Sequence, residues 1–258
     1  QSLQKLIHQR IYSVIPNMGG KSIFTGVLDY YRKGHLTALN DSKKGNLIGI
    51  GMAPEGFENN EMLYELYTDV FWSSEEKKMD DFLSNYAMNR YNSYPDQIKK
   101  AWDLLQKTAY NQLIDHPRYN WQFGPGKKEE SACISDDFVE SCNLWVFASV
   151  ENSELEKSEL YKTDVIEASC QLASIKLEKI CKRMIESFER GDKLQASYCF
   201  SFFDNLIHMI DNILESHANL RLNEWLYLAE KMAGNNEEMK KHYKENGRYI
   251  IITLLADE

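Results

Sequence analysis

The sequence predicts a mainly α-helical chain that opens with a strand–helix–strand unit, an α/β tail over residues 1–76 followed by an all-α domain over residues 77–258. Three observations carry this expectation. Two short runs rich in apolar and β-branched residues, Ile11–Ile15 and Leu47–Met52, are each broken by Pro and Gly. Between them lies a stretch with helical periodicity. Beyond Met79, apolar residues recur at helical spacing almost to the carboxyl terminus.

The first run ends in Pro16-Asn17-Met18-Gly19-Gly20. The spacing of Ile23, Val27, Tyr30 and Tyr31 predicts a helix over Ser22–Leu39, and Asn40–Gly45 is a polar turn. Leu47–Met52 is the second strand, closed by Ala53-Pro54-Glu55-Gly56. Strand, helix, strand at this spacing is a βαβ unit, so the two strands are expected to be parallel and covered on both faces. A helix over Asn59–Trp72 follows, with Asn59 as cap and Met62, Leu63, Leu66 and Val70 facing the core. Further helices are expected at Met79–Tyr91, Pro95–Leu113, Asp136–Val150, Leu160–Glu189, Lys193–Ser216, Leu222–Ala233 and Glu237–Asn246. The longest carries an apolar stripe of Val165, Leu172, Ile175, Leu177, Ile180 and Met184. Asp115–Glu130 reads as irregular, and Tyr249–Leu255 suits either a strand or a helix. Two strands cannot make a covered parallel sheet alone. The chain also starts at Gln1 without the apolar core of a signal peptide. Both features lead us to expect a processed chain or a piece of a longer one.

The composition bounds the function. Lys and Arg number 30 against 39 Asp and Glu, a net charge of −9, which opposes a general nucleic-acid surface. No apolar run approaches the roughly 20 residues of a membrane helix. Five cysteines without C-x-x-C spacing do not form a disulfide framework. The six histidines show no metal-ligand spacing, so neither a metal nor a cofactor is expected. Gly19-Gly20-Lys21-Ser22 lacks the upstream Gly of a phosphate loop, since that position is Ile15.

In α/β folds, chemistry gathers just beyond the carboxyl ends of parallel strands. Those positions hold Asn17 with Gly19, and Glu55 with Gly56. A strand-end carboxylate suits a glycosidase nucleophile or a general base, or else a solvated loop. The aromatics Tyr119, Trp121 and Phe123 suit a sugar platform or the gap between packed layers. Trp225 is open to the same two readings.

Pro16-Asn17-Met18-Gly19-Gly20 resembles the His-Asn-Phe-Gly-Gly motif of the α-N-acetylglucosaminidases, glycoside hydrolase family 89. Gly49-Ile50-Gly51-Met52-Ala53-Pro54-Glu55-Gly56 is similar to that family's Gly-Thr-Gly-Met-Ala-Pro-Glu-Gly segment. Asn60-Glu61, Tyr64-Glu65-Leu66, Trp72, Tyr86–Tyr91, Ala101–Leu105 and Ala109-Tyr110 extend the match, and Asp211, Trp225-Leu226 and Arg248-Tyr249 fit it more weakly.

The resemblance implies the last strand–helix–strand unit of a (β/α)8 catalytic barrel in residues 1–76, then an all-α domain in 77–258. It implies a retaining exo-glycosidase that releases terminal α-linked N-acetylglucosamine from glycans, with two glutamates in catalysis. Glu55 maps onto the nucleophile, and the family's acid lies upstream of Gln1. Asn17 and Gly19 are expected to contact the sugar, and Trp225 and Tyr249 to close the pocket from the helical domain. Pro16 replaces the family's His, which shifts or removes one sugar contact. The implied partners are a glycan ending in α-N-acetylglucosamine and the remainder of the barrel, in a secreted, periplasmic or lysosomal setting. The alternative is a non-catalytic carbohydrate-recognition or assembly module.

Overall fold

The computed structural model describes residues 9–16, 24–54, 60–112, 119–122 and 135–253. The chain forms two compact units, one of Gln1–Pro117 with Ala132–Tyr161, the other of Arg118–Ser131 with Lys162–Glu258.

In the first unit, β1 (Gln9–Val14) pairs with β3 (Asn46–Met52), and the ladder is parallel as the βαβ spacing predicts. Register runs from Gln9 opposite Asn46 to Val14 opposite Met52, with an irregularity between Arg10 and Ile11 that passes over Ile48. The crossover is α1 (Leu28–Asn40), shorter at its start than the predicted helix. The cause is local. Gly26 sits at φ +126°, and β2 (Gly26–Val27) pairs antiparallel with β4 (Asn111–Gln112). The backbone is therefore extended where the periodicity alone suggests helix. The buried side of α1 is Leu28, Tyr31 and His35, whereas Tyr30 is exposed.

The expectation of two covered strand faces is not met among the described residues. Ile11 is 62% exposed and Ile48 is 54% exposed. No further described strand pairs with β1 or β3, and the outer positions stay open to solvent.

Below the strands, α2 (Glu61–Val70) buries Met62, Leu63, Leu66, Tyr67 and Val70. Its Tyr67 hydroxyl donates to Gly51 O of β3 at 3.4 Å. Then come α3 (Met79–Tyr91) and α4 (Asp96–Lys107). Asn92 closes α3 in the left-handed region at φ 54°, its N–H donating to Met88 O. Helix α4 stops at Lys107, short of the predicted Leu113. Thr108 leaves helical geometry, the Tyr110 N–H turns back to Leu105 O, and Asn111 enters β4. Helix α5 (Asp136–Glu151) starts at a Ser135 cap, whose hydroxyl accepts from Phe138 N. It packs on α4, where Ser141 Oγ donates to Ala101 O at 2.9 Å. The core of this unit is aromatic. Trp145 meets Trp102, Tyr91 and Tyr161 at 5.4–6.2 Å, mostly edge to face. Each such ring stabilises by about 1.5–3 kcal/mol through burial.

In the second unit, α6 (Glu159–Glu189, its first residues belonging to the first unit) spans 31 residues. Gly191 at φ +77° ends it, and Asp192 caps α7 (Lys193–Glu215) by accepting from Gln195 N at 3.0 Å. The predicted apolar stripe on α6 is only partly the buried one. Ile175 and Leu177 are inside, but Asp164, Glu167, Gln171 and Glu178 are buried as well. These polar residues stand three, four and seven apart, helical spacing for one face. Helices α8 (Leu222–Lys231) and α9 (Glu237–Thr253) form a hairpin. Tyr249 through Thr253 continue α9, so the ambiguous segment is helical there. Gly247 lets α9 approach α8, since a Cβ there would lie 3.5 Å from Leu226 and 3.6 Å from Ala229. Lys244 pairs with Glu230 across the hairpin at 2.6 Å.

The four described cysteines, Cys142, Cys170, Cys181 and Cys199, are free and buried, consistent with small core hydrophobes.

Candidate active site

The parallel register sets Val14 beside Met52, so the carboxyl ends of β1 and β3 lie next to each other. Ala53 N–H extends the ladder by donating to Val14 O at 3.0 Å. In sequence, Asn17 follows Val14 by three residues and Glu55 follows Met52 by three. Asn17, Gly19 and Glu55 lie outside the described residues, as do Gly20 and Gly56. The structure therefore supplies the strand ends that carry them.

The far sides of the same two segments also meet. Asn60 Nδ2 donates to Thr25 O at 3.0 Å, and Asn60 Oδ1 accepts from the Tyr110 hydroxyl at 2.6 Å. All three residues are buried. Asn60 stands at the start of α2 in the left-handed region, φ 59° and ψ 39°, and makes no side-chain cap bond. The expected cap at Asn59 lies outside the described residues. Sequence reading missed the Thr25–Asn60–Tyr110 link, because an Asn before a helix has the residue type of a cap.

Beneath the strands sits a set of tyrosines. Burial pushes the hydroxyls of Tyr31, Tyr67 and Tyr12 above the ordinary tyrosine range. All three stay protonated across neutral pH, and the Tyr67 hydroxyl donates to Gly51 O.

In the second unit, Trp225 lies on α8 and is 41% exposed. Tyr249 lies in α9, its side chain outside the described residues. Trp225 adjoins Leu226 and Tyr249 follows Gly247 by two residues. The backbones of both therefore flank the close approach of α8 and α9. The Tyr119 and Trp121 pair is used for packing. Tyr119 is buried and its hydroxyl accepts from Gln171, while the Trp121 ring stacks on Tyr119 at 6.4 Å and meets Phe203 edge-on. Asn120 Nδ2 and Trp121 N–H both donate to Glu178, at 2.6 and 3.3 Å. Gln171 and Glu178, two of the buried polar positions of α6, thus serve the 119–122 turn. Phe123 lies outside the described residues.

This strand-end arrangement and the helices behind it coincide with one known family. The description "Alpha-N-acetylglucosaminidase (NAGLU) C-terminal domain" matches residues 82–255, and the family's tim-barrel domain matches residues 4–74. The chain belongs to the α-N-acetylglucosaminidase family, glycoside hydrolase family 89, as a carboxyl-terminal portion that joins the end of a (β/α)8 barrel to an all-α domain. It is 26% identical to the human α-N-acetylglucosaminidase over 261 aligned positions, covering 96% of this chain and 34% of that protein. The chain therefore spans about a third of the length of this curated relative. A family 89 glycoside hydrolase from Clostridium perfringens, solved with 2-acetamido-1,2-dideoxynojirmycin, superposes with a TM-score of 0.83 at 20% identity, over 93% of this chain and 28% of that one. A Clostridium perfringens structure of the same family, holding its substrate GlcNAc-α-1,4-galactose, gives a TM-score of 0.85 at 19% identity, over 97% and 29%. At these identities the structural likeness establishes the fold.

Proposed function

We propose that the polypeptide carrying this chain is a retaining exo-glycosidase that releases terminal α-linked N-acetylglucosamine from glycans, with Glu55 as its nucleophile. The observation that carries this reading is the family match, whose tim-barrel part over residues 4–74 contains Glu55 and whose C-terminal part covers residues 82–255. The strand register supports it, because Glu55 and Asn17 follow adjacent parallel strand ends by the same number of residues. We assign residues 1–76 to the end of the catalytic barrel and 77–258 to the helical domain.

A retaining mechanism needs a second carboxyl group about 5–5.5 Å from the first. That acid belongs to an earlier strand of the barrel, the partner we assign upstream of Gln1. The Glu55 carboxylate attacks the anomeric carbon as the acid protonates the departing glycosidic oxygen. The bond to the aglycone breaks and a glycosyl ester forms on Glu55. The same acid, now a carboxylate, takes a proton from water, whose oxygen attacks the anomeric carbon and frees Glu55. Asn17 and the Gly19 backbone hydrogen-bond the sugar, and Trp225 and Tyr249 help enclose it. Among the described residues, no helix is long and apolar enough to cross a membrane. The setting we assign is secreted, periplasmic or lysosomal.

The test is hydrolysis of an aryl α-N-acetylglucosaminide by the polypeptide extended upstream to include the acid, with the β-anomer as control. Glu55→Gln should keep its fold and lose turnover by a factor on the order of 10³ or more. Wild-type rates in Glu55→Gln would sink the assignment. Sugar binding with no turnover in the unmutated polypeptide would leave the non-catalytic recognition module instead.

A further inference from the structure

Within the first unit, two hydrogen bonds join the same two stretches of chain. On the strand side, Ala53 N–H donates to Val14 O at 3.0 Å. On the other side, Asn60 Nδ2 donates to Thr25 O at 3.0 Å. Val14 and Thr25 bracket the stretch holding Asn17 and Gly19, and Ala53 and Asn60 bracket the stretch holding Glu55. The two predicted site segments are thus tied to each other at both ends. The first tie is ordinary strand pairing and accepts many residues. The second depends on one side chain.

Asn60 meets three demands at once. Its backbone is left-handed at φ 59°, where only Gly, Asn and Asp are readily accommodated. Its amide nitrogen must donate to Thr25 O, and its amide oxygen must accept from the Tyr110 hydroxyl. Gly would supply the conformation without either bond, and ionised Asp would supply the acceptor without the donor. The Thr25 carbonyl fixes which way the amide faces, since it only accepts and so takes the nitrogen, which leaves the oxygen to accept from the Tyr110 hydroxyl. The residue is 3% exposed, so water does not replace these bonds freely. Its side chain makes no cap bond to α2, which a purely helix-starting Asn would make.

We propose that Asn60 is a positioning residue for catalysis: by clamping Thr25 and Tyr110 it fixes where the Glu55 segment stands against the Asn17 segment. This rests on the assignment of Glu55 above. Asn60 does not touch the sugar. It stands five positions after Glu55, as Thr25 stands five after Gly20. Releasing the clamp leaves the strand ends in register and unties Thr25 from Asn60. A displacement on the order of 1 Å at the nucleophile costs about 100-fold in rate.

The experiment uses the same active polypeptide and substrate as the Glu55→Gln test. Asn60→Gly keeps the backbone conformation and deletes the clamp. It should lower kcat by about 10- to 100-fold, with KM changing far less. Ile98→Val, a destabilising change at a buried position of α4, serves as the stability control and should retain kcat. Asn60→Asp supplies a second, pH-resolved readout. Its buried carboxyl faces the Thr25 carbonyl and can donate only when protonated, so kcat relative to wild type should rise as the pH falls. The Asp variant also tests the idea if the Gly variant fails to fold. A kcat within twofold of wild type in Asn60→Gly, equal losses in Asn60→Gly and Ile98→Val at matched stability, or a pH-independent ratio in Asn60→Asp would each overturn the proposal. Full activity in Glu55→Gln would overturn the nucleophile assignment and this inference with it. Loss in Glu55→Gln beside normal kcat in Asn60→Gly would overturn the inference alone.

Discussion

Cys170 shows how a buried thiol makes this fold sensitive to base. It lies on α6 and is 8% exposed. Burial, and then the neighbouring charge of Glu167, pushes its thiol from an ordinary 9.0 up to about 11. The folded state therefore holds this proton more tightly than the unfolded state does. The stability it contributes is fully present below about pH 9 and is lost as the pH rises through 11. Denaturant melts of wild type and Cys170→Ala at pH 7, 9 and 11 should diverge in slope, wild type losing more between pH 9 and 11. Parallel profiles would show that the thiol does not carry this share. Sequence alone identifies Cys170 as a core hydrophobe, and the structure agrees. What it cannot give is the carboxylate three residues earlier turning to the same buried side. Asn60 is the opposite case. Its residue type was legible, but the sequence places the cap at Asn59 and Asn60 within the helix, whereas the helix starts at Glu61. A cap and a buried crosslink ask for the same amide. Only the contacts to Thr25 and Tyr110 separate the two.

The elements were most legible where one physical cause sets them. The runs at β1 and β3, their parallel pairing and the buried face of α2 all follow from apolar spacing and turn residues. The start of α1 was not legible, because a Gly at φ +126° and an antiparallel partner strand at Asn111–Gln112 decide it. The buried face of α6 was misread for a related reason. Asp164, Glu167, Gln171 and Glu178 share one helical side, and for Gln171 and Glu178 partners in the distant 119–122 turn make polar burial tolerable. The packing of β1 on α1 makes a sharper test. Tyr12 of β1 reaches α1 at Gly34, where an added Cβ would overlap the Tyr12 hydroxyl and lie 3.2 Å from the ring carbon that bears it. Ala in place of Gly inside a helix gains about 1 kcal/mol, and overfilling a packed site costs roughly 1–3 kcal/mol. The overlap should win, so Gly34→Ala lowers the melting temperature. In a Tyr12→Phe background the hydroxyl is gone and the same change should become neutral or stabilising. A double-mutant cycle measures the difference, expected to be about 1 kcal/mol or more. Additive effects would show that Gly34 is not held open for Tyr12.

Across the whole molecule, protection from solvent is uneven, and the pattern separates what these residues complete from what they leave open. In the first unit, α3, α4 and α5 enclose Tyr86, Tyr91, Trp102 and Trp145, each at most 3% exposed. By contrast, β1 and β3 pair only with each other among the described residues, and their Ile11 and Ile48 are more than half exposed. A two-stranded ladder is marginal in water, whereas a packed aromatic core opens only with global unfolding. Hydrogen exchange on the 258-residue chain should therefore show slow amides in α3–α5 and much faster ones across β1 and β3. If residues 1–76 end a catalytic barrel, as we propose, adding the upstream polypeptide pairs the free strand edges and covers both faces. The same β1 and β3 amides should then slow by orders of magnitude, while those of α3–α5 change little. The comparison also bears on chemistry, since the strand ends must be held still for two carboxyl groups to keep a fixed separation of about 5 Å. Unchanged exchange at β1 and β3 in the longer polypeptide would mean that these strands do not belong to a closed barrel, and the placement of Glu55 opposite an upstream acid would fall with it.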